Sequence, residues 1–198
     1  MARPKGRRHR SIVSAPRRLR EAVSKSHVLI TGLPGVGKTT LIRELARRLR
    51  EHDPAGFYTE EIRNAKGARE GFRVVTLCDR HVVLAHVRHR GPYRVSRYVV
   101  DVAAFERLLE ELDLPHSPSQ LIIIDEIGKM ECFASRFVDD VREVLEGTKT
   151  LVATIAVKGE GFIRQVKDRS DCRLVTITRK NRDRLPAELA SELQKTLA

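Results

Sequence analysis

A glycine-rich segment near the start of the chain carries the clearest sign of chemistry. Gly32-Leu33-Pro34-Gly35-Val36-Gly37-Lys38-Thr39 matches the phosphate-binding pattern G-x-x-x-x-G-K-[ST], the Walker A motif, and Thr40 follows it. Glycines let backbone N–H groups turn towards phosphate oxygens, and the N-terminal end of the following helix attracts anions. We expect Lys38 to bridge the β- and γ-phosphates of a nucleotide and the Thr39 hydroxyl to bind Mg²⁺.

A second candidate site follows an aliphatic run in the middle of the sequence. Leu121-Ile122-Ile123-Ile124 predicts a strand buried on both faces. Asp125 and Glu126 stand at its carboxyl end, where ligands bind in open α/β sheets. We expect Asp125 to hold Mg²⁺ directly or through water (the Walker B role), and Glu126 to orient and deprotonate an attacking water. Two alternatives stay open: the acids exchange these roles, or they are solvated residues of an ordinary turn.

Other titratable residues give weaker signals. Arg164 and Arg182 are candidates to stabilise transition-state charge, or else ordinary surface arginines. Glu60 and Glu61 either reach the site or form a solvated hairpin edge. We interpret Cys132 as a packed or partly exposed thiol rather than a nucleophile. Three histidines interspersed with arginines are interpreted as surface residues rather than metal ligands: His81, His86 and His89.

The elements around these motifs alternate between strands and helices. A strand at 28–31 precedes the glycine-rich loop, and apolar residues from Leu41 to Leu49 predict a helix after it. An antiparallel hairpin is predicted from residues 56–63 and 71–77. Later strands are expected at 81–87, 121–124, 150–156 and 173–178, with helices after Asp101, around 137–145 and at 185–197. With the phosphate-binding loop, this order predicts an α/β fold of P-loop NTPase type. Such a fold is a three-layer sandwich, here with a mostly parallel central sheet and an early antiparallel hairpin insertion.

Net charge is distributed unevenly along the 198 residues. The chain carries a formal charge of +12, and residues 1–26 hold nine of its Lys and Arg side chains against one acid, Glu21. We expect residues 1–26 to be a basic, flexible tail and residues 27–198 to form one P-loop domain. Weak contact with RNA, DNA or another polyanion through the tail, or a mitochondrial presequence, are the alternatives.

Hydropathy and cysteine content exclude whole classes of protein. The longest aliphatic run, at 121–124, is far shorter than the ~18 apolar residues of a membrane span. The first residues lack the apolar core of a secretory signal. The three cysteines form no C-x-x-C pair, which argues against a disulfide framework and a cysteine zinc site. We therefore expect a cytoplasmic protein without membrane association.

Five stretches occur in an order and spacing typical of one family. They are VLITGLPGVGKTTLI (28–42), GFYTEEIR (56–63), GFRVVTL (71–77), LIIIDEIGKME (121–131) and Asn181-Arg182-Asp183. In these, the chain from about His27 to about Arg184 resembles the THEP-type nucleoside-triphosphatases. That group includes the cancer-related nucleoside-triphosphatase of animals and its bacterial and archaeal relatives.

The resemblance implies a small, monomeric, Mg²⁺-dependent enzyme that hydrolyses several nucleoside triphosphates to the diphosphate and phosphate. It also implies that residues 32–39 and 121–128, the latter including Ile127 and Gly128, line the nucleotide site, with Glu126 catalytically important. The chain departs from the family pattern in its basic tail and in Cys132, where an aliphatic residue is usual.

Two functions of other classes remain open beside hydrolysis of ATP, GTP, CTP and UTP. The first is a small-molecule kinase that uses the same phosphate-binding loop, with the basic segment 87–97 as a lid over the acceptor. The second is a nucleotide-gated module that holds RNA or a partner through the tail.

Overall fold

One mixed sheet organises the molecule in the computed structural model, which describes residues 27–197. Within that range the strands are β1 (His27–Thr31), β2 (Ala55–Arg63), β3 (Arg69–Thr76), β4 (His81–His86), β5 (Arg94–Val95), β6 (Tyr98–Val100), β7 (Leu121–Ile127), β8 (Thr150–Ile155) and β9 (Cys172–Thr176). Their order across the sheet is β5-β6-β4-β3-β2-β7-β8-β1-β9. Residues 1–26, predicted to be a basic tail, lie outside the described residues.

Helices follow several of the strands, and all except α4 lie where the apolar spacing predicts a helix. They are α1 (Lys38–Arg48), α2 (Val102–Leu112), α3 (Ser135–Glu146), α4 (Phe162–Lys167) and α5 (Leu185–Leu197). The Asp101 side chain caps α2 by accepting a hydrogen bond from the backbone N–H of Ala104 at 3.0 Å. No helix in this part of the chain is both long and apolar enough to span a bilayer.

The helices cover both faces of the sheet and bury two separate apolar cores. On one face, α1 and α5 pack with leucines such as Leu45 and Leu189 against the inner sides of β1 and β7. On the other face, α2, α3 and α4 enclose a core centred on Phe57, Phe105 and Phe137, whose ring centroids lie 5.7–6.3 Å apart. The predicted three-layer α/β sandwich is confirmed.

The sheet has a parallel part and an antiparallel part. Strands β2, β7, β8, β1 and β9 run parallel to their neighbours in that order, which is the arrangement expected for strands joined through helices. Beyond β2, the strands β3, β4, β6 and β5 pair antiparallel. The predicted hairpin is confirmed, since β2 pairs with β3 from Phe57↔Thr76 to Arg63↔Arg69.

The strands β5 and β6 and the helix α4 were not predicted. Strand β5 has two residues, β6 has three and α4 has six, so none contains enough residues for an apolar period to be recognised. Strands β5 and β6 occupy the end of the basic segment 87–97 and the residues after it, and they form the outer edge of the sheet.

Candidate functional site

The glycine-rich loop connects the buried strand β1 to α1. Gly37 precedes the helix with φ +111°, a backbone conformation that residues with a Cβ rarely adopt, so the glycine is required at this turn. Its carbonyl accepts the first helical hydrogen bond, from the N–H of Leu41 at 2.9 Å. Within the described residues no side chain caps this helix end, and the N–H groups of its first turn are therefore available to an anion.

Lys38 and Thr39 begin α1 and point in different directions. The Lys38 ammonium crosses the loop and donates to the carbonyl oxygen of Gly32 at 3.1 Å. The Thr39 hydroxyl donates to the Oδ2 atom of Asp125 at 2.6 Å, across 86 residues of sequence. The phosphate-binding loop and the end of β7 therefore meet at this hydrogen bond.

Asp125 is a buried carboxylate, with 1% of its surface exposed, held by three hydroxyl groups. Besides Thr39, its Oδ2 atom accepts from Thr59 at 3.2 Å, and its Oδ1 atom accepts from Thr154 at 2.6 Å. These partners come from α1, β2 and β8, so three neighbouring elements fix the carboxylate. Sequence reasoning missed Thr59 and Thr154. The signal for Thr154 was a hydroxyl residue inside the otherwise aliphatic buried run at 151–155.

The donor set at Thr39 and Asp125 fits Mg²⁺. This ion prefers oxygen ligands, and in phosphate-binding sites it is held by one or two protein side chains together with waters and phosphate oxygens. A hydroxyl oxygen and a carboxylate oxygen 2.6 Å apart, beside a phosphate-binding loop, supply that kind of ligand. Within residues 27–197, no group of three or more His, Cys, Asp and Glu side chains is arranged to hold a metal.

Glu126 lies beside Asp125, after a cis peptide bond, and lines a cavity of about 860 Å³. Burial raises the pKa of its carboxyl group, and the neighbouring Lys38 ammonium opposes that rise. A carboxylate with a raised pKa is a stronger base than an exposed one, which suits proton abstraction. The other residues that line this cavity come from the loop and α1, from the β2–β3 hairpin and from the segment after β8: Gly32, Leu33, Pro34, Gly35, Gly37, Lys38, Thr39, Thr40, Thr59, Glu60, Glu61, Arg69, Phe72, Ala156, Val157 and Lys158.

A second cavity, of about 810 Å³, adjoins the first and shares Gly37 and Thr40 with it. Its walls come from α1 and from the connection between β9 and α5, which contributes Arg182 and Asp183. Arg182 therefore lines this second cavity and not the cavity that Glu126 lines. Arg164, the other arginine considered for charge stabilisation, is an exposed residue of α4 paired with Asp168 at 3.4 Å.

The aliphatic residues of β7 do not line either of these two cavities, contrary to the expectation that the whole segment 121–128 contacts a nucleotide. Five predicted lining residues are fully buried in the two apolar cores: Leu121, Ile122, Ile123, Ile124 and Ile127. These aliphatic residues place Asp125 and Glu126 near the carboxyl-terminal end of β7. A Cβ at Gly128 would lie 2.8 Å from the Oε2 atom of Glu131, so a side chain there would displace that carboxyl group.

The titratable residues that gave weaker signals in the sequence lie in different parts of the structure. Glu60 and Glu61 line the first cavity, and both form ion pairs with arginines of the hairpin. Burial raises the pKa of the Cys132 thiol to about 12, and this residue packs against the core around Phe137, as a neutral side chain would. The His86 and His89 rings lie side by side, with centroids 5.7 Å apart, near the sheet edge.

Glu131 is a further buried carboxyl group close to the site. Burial raises its pKa to about 8, and the charges of Glu126 and Asp125 add to that effect. The residue begins the short 3₁₀ turn Glu131–Phe133 that follows β7. Sequence reasoning named Glu131 only as the last residue of a family motif.

Comparison with known proteins gives consistent results. The sequence model of the NTPase family matches residues 27–190. The chain is 40% identical over 168 residues to "Nucleoside-triphosphatase THEP1" of Thermotoga sp. (strain RQ2), covering 84% of this chain and 95% of that protein. It is 38% identical over 186 residues to the "Cancer-related nucleoside-triphosphatase" of Homo sapiens, covering 86% and 97%.

Two solved structures are similar in fold. The crystal structure of THEP1 from Aquifex aeolicus has a TM-score of 0.76 and 32% identity, covering 85% of this chain and 99% of that one. The solution structure of a human cancer-related nucleoside triphosphatase has a TM-score of 0.70 and 37% identity, covering 85% and 97%. The predicted resemblance is confirmed, and the chain belongs to the NTPase family.

Proposed function

We propose that this protein hydrolyses nucleoside 5′-triphosphates to the diphosphate and phosphate, with Mg²⁺ as cofactor. The observation that carries the proposal is the 2.6 Å hydrogen bond between Thr39 and Asp125, which joins the phosphate-binding loop to the acidic end of β7. The names of the relatives also support it, since they specify nucleoside triphosphates and no particular base. We extend that breadth to ATP, GTP, CTP and UTP.

The loop and the start of α1 bind the triphosphate in this proposal. The unpaired N–H groups of the first helical turn donate to phosphate oxygens, and the helix end adds partial positive charge. Lys38 exchanges the carbonyl of Gly32 for oxygens of the β- and γ-phosphates. Thr39 and Asp125 hold Mg²⁺, which when bound neutralises part of the phosphate charge.

Glu126 acts on the attacking water. Its carboxylate lines the same cavity as Lys38 and Thr39, so it can accept a proton from a water that attacks the γ-phosphate in this cavity. The water oxygen forms a bond to the γ-phosphorus while the bond to the β–γ bridging oxygen breaks. Glu126 accepts the proton of the water, and the nucleoside diphosphate leaves with the electron pair of the broken bond.

Phosphate release from each of the four nucleoside triphosphates, with and without Mg²⁺, tests this function. We expect release from several of the four, loss of release in EDTA, and no release by Lys38→Ala. Lys195→Ala is the matched control, since Lys195 is an exposed lysine of α5 that lines neither cavity, and we expect it to behave like the wild type. Absence of phosphate release by the wild-type protein would contradict the proposal.

The same assay separates hydrolysis from the two other functions. Transfer of the phosphoryl group to an added alcohol acceptor, with little free phosphate, would indicate a kinase. Deletion of residues 1–26 leaves turnover unchanged if the protein is a hydrolase. Loss of affinity for RNA or a partner in that deletion, without detectable turnover in the full chain, would indicate a nucleotide-gated binding module.

The monomeric state expected from the family remains part of the proposal. Sedimentation equilibrium of the full chain should give a mass close to 22.5 kDa. A mass twice as large would show a dimer and would contradict it.

A further inference from the structure

The order of the strands points to the segment that follows β8. Strand β8 lies between β1 and β7 and runs parallel to both. The phosphate-binding loop follows β1, and Asp125 and Glu126 end β7, so the segment 156–161 leaves the same edge of the sheet between them. The first residue of this segment is hydrogen-bonded to β7, since the N–H of Ala156 donates to the carbonyl of Ile127 at 3.2 Å.

Contacts on both sides fix the backbone at Lys158. On the N-terminal side, the Lys167 ammonium donates to the carbonyl oxygens of Ala156 and Val157, the latter at 2.8 Å. On the C-terminal side, Gly159 packs directly on the buried Ile163, where a Cβ would lie 2.6 Å from a methyl group. The backbone is therefore held in place while the Lys158 side chain lines the cavity that contains Glu126.

Three cationic side chains line that cavity: Lys38, Arg69 and Lys158. Lys38 lies across the phosphate-binding loop, and Arg69 forms an ion pair with Glu61. Arg164 and Arg182, the arginines that the sequence offered for charge stabilisation, lie elsewhere, the first paired on α4 and the second in the other cavity. Lys158 is therefore the cationic side chain that the segment 156–161 adds to the cavity lined by Lys38 and Glu126.

We propose that Lys158 is a catalytic residue whose ammonium contacts an oxygen of the γ-phosphoryl group in the transition state. This inference rests on the proposed hydrolysis. Negative charge moves onto the γ-phosphoryl oxygens and the leaving oxygen as the bond to the bridging oxygen breaks. An ammonium group has three donors and a compact charge, and it stabilises this charge without giving up a proton. The backbone on both sides of Lys158 is held in place, so only the side chain has to move for its ammonium to reach the phosphoryl group.

Lys158→Ala, Lys158→Arg and the control Lys195→Ala test the proposal. We expect Lys158→Ala to lower kcat by about tenfold or more, the order expected when one donor to a transition-state oxygen is removed. KM and the Kd for a non-hydrolysable triphosphate should change by less than about threefold, because the contact forms mainly in the transition state. The affinity for ADP with aluminium fluoride, which resembles the transition state, should fall by about as much as kcat. Lys158→Arg should recover part of the loss.

A smaller fall in kcat would overturn the proposal, and so would an equal loss of affinity for the non-hydrolysable triphosphate. Thermal unfolding of Lys158→Ala should match the wild type, because the side chain is exposed; a lower Tm that accounts for the lost activity would also overturn it. The proposed function fails separately, if the wild-type protein releases no phosphate. Hydrolysis by the wild type with normal kcat in Lys158→Ala contradicts only the role of Lys158.

Discussion

The parallel and antiparallel parts of the sheet use charged residues in opposite ways. In the parallel part, β1 and β8 are buried along their whole length, and the polar side chains of the site stand at the carboxyl ends of the strands. In the antiparallel part, β3 and β4 combine buried positions with partly or fully exposed ones. Its arginines and glutamates pair with each other on the surface, as Arg73 does with Glu60 at 2.6 Å.

This difference shows what a buried charge requires. Asp125 remains in the interior because three hydroxyl groups satisfy its oxygens, and each of them comes from an element that flanks β7 or from α1. The paired charges of the antiparallel part are solvated, and exposed pairs of this kind contribute little to stability. The antiparallel part therefore provides a wall of the cavity, and the parallel part provides the groups that react.

The largest effect is expected at Glu126, in the parallel part. Glu126→Gln should lower kcat by ~100-fold or more while leaving nucleotide affinity largely intact, because an amide does not accept the proton of the attacking water. The control is Glu110→Gln on the exposed face of α2, which should keep wild-type turnover. Single-turnover phosphate release and equilibrium binding measure the two quantities. Turnover by Glu126→Gln equal to the wild type would exclude Glu126 as the base.

A stability effect is expected at Thr154. Thr154→Val keeps the shape of the side chain but leaves the Oδ1 atom of Asp125 without its hydroxyl donor, which should cost about 1–3 kcal/mol of unfolding free energy. Thr31→Val is the matched control, since the buried Thr31 hydroxyl has no hydrogen-bond partner within residues 27–197. Urea denaturation should show no loss for Thr31→Val. Equal stability of the two variants would contradict the assignment of Thr154 as a support of Asp125.

Glu131 should make the unfolding free energy depend on pH. The pKa of its carboxyl is about 8 in the folded protein and lies near 4.5 when unfolded, so folding takes up a proton between these values. The stabilisation is fully present below about pH 4.5 and is lost as the pH rises towards 8. Between about pH 5.5 and 6.5, the unfolding free energy of the wild type should fall by about 1.4 kcal/mol relative to Glu131→Gln. Parallel pH dependences in urea titrations of the two proteins would contradict the neutral state of Glu131.

The smallest loss of stability is expected for a substitution in the antiparallel part of the sheet. Arg73→Ala removes the exposed ion pair with Glu60, and the loss should be below about 1 kcal/mol and should shrink at high salt. Thermal unfolding at low and high ionic strength measures it. A loss as large as that of Thr154→Val would show that the charges of this part are not simply solvated.

Much of the fold could be predicted because strong local signals mark its elements. The aliphatic run before Asp125, the glycine-rich loop before α1 and the two β-prone segments of the β2–β3 hairpin each specify their element within a few residues. The order of the strands was not predictable in the same way. Pairing of β2 with β7, and of β8 with both β1 and β7, joins residues far apart in the chain.

In the candidate site, too, contacts between residues far apart in the chain were not predictable from local sequence. The motifs identified Thr39 and Asp125 as partners, and their contact is present in the structure, while their roles in binding a metal stay predictions. Thr59, Thr154 and Lys158 were missed, because Thr59 and Thr154 reach the site through the pairing of β2 and β8 with β7, and Lys158 lies in the segment that follows β8. A hydroxyl residue inside an aliphatic run marks Thr154, whereas no local pattern distinguishes Thr59 or Lys158 from the other threonines and lysines of the sequence.

A double-mutant cycle on Thr39 and Asp125 tests most directly whether the two side chains bind the same Mg²⁺ beside the phosphates. The measured quantity is the ratio of the Kd values for a non-hydrolysable triphosphate without and with Mg²⁺. If both side chains hold one Mg²⁺ beside the phosphates, Thr39→Ala and Asp125→Asn each remove most of the Mg²⁺ enhancement, and the double variant loses little more. Additive losses, or an enhancement that survives in Asp125→Asn, would contradict the claim.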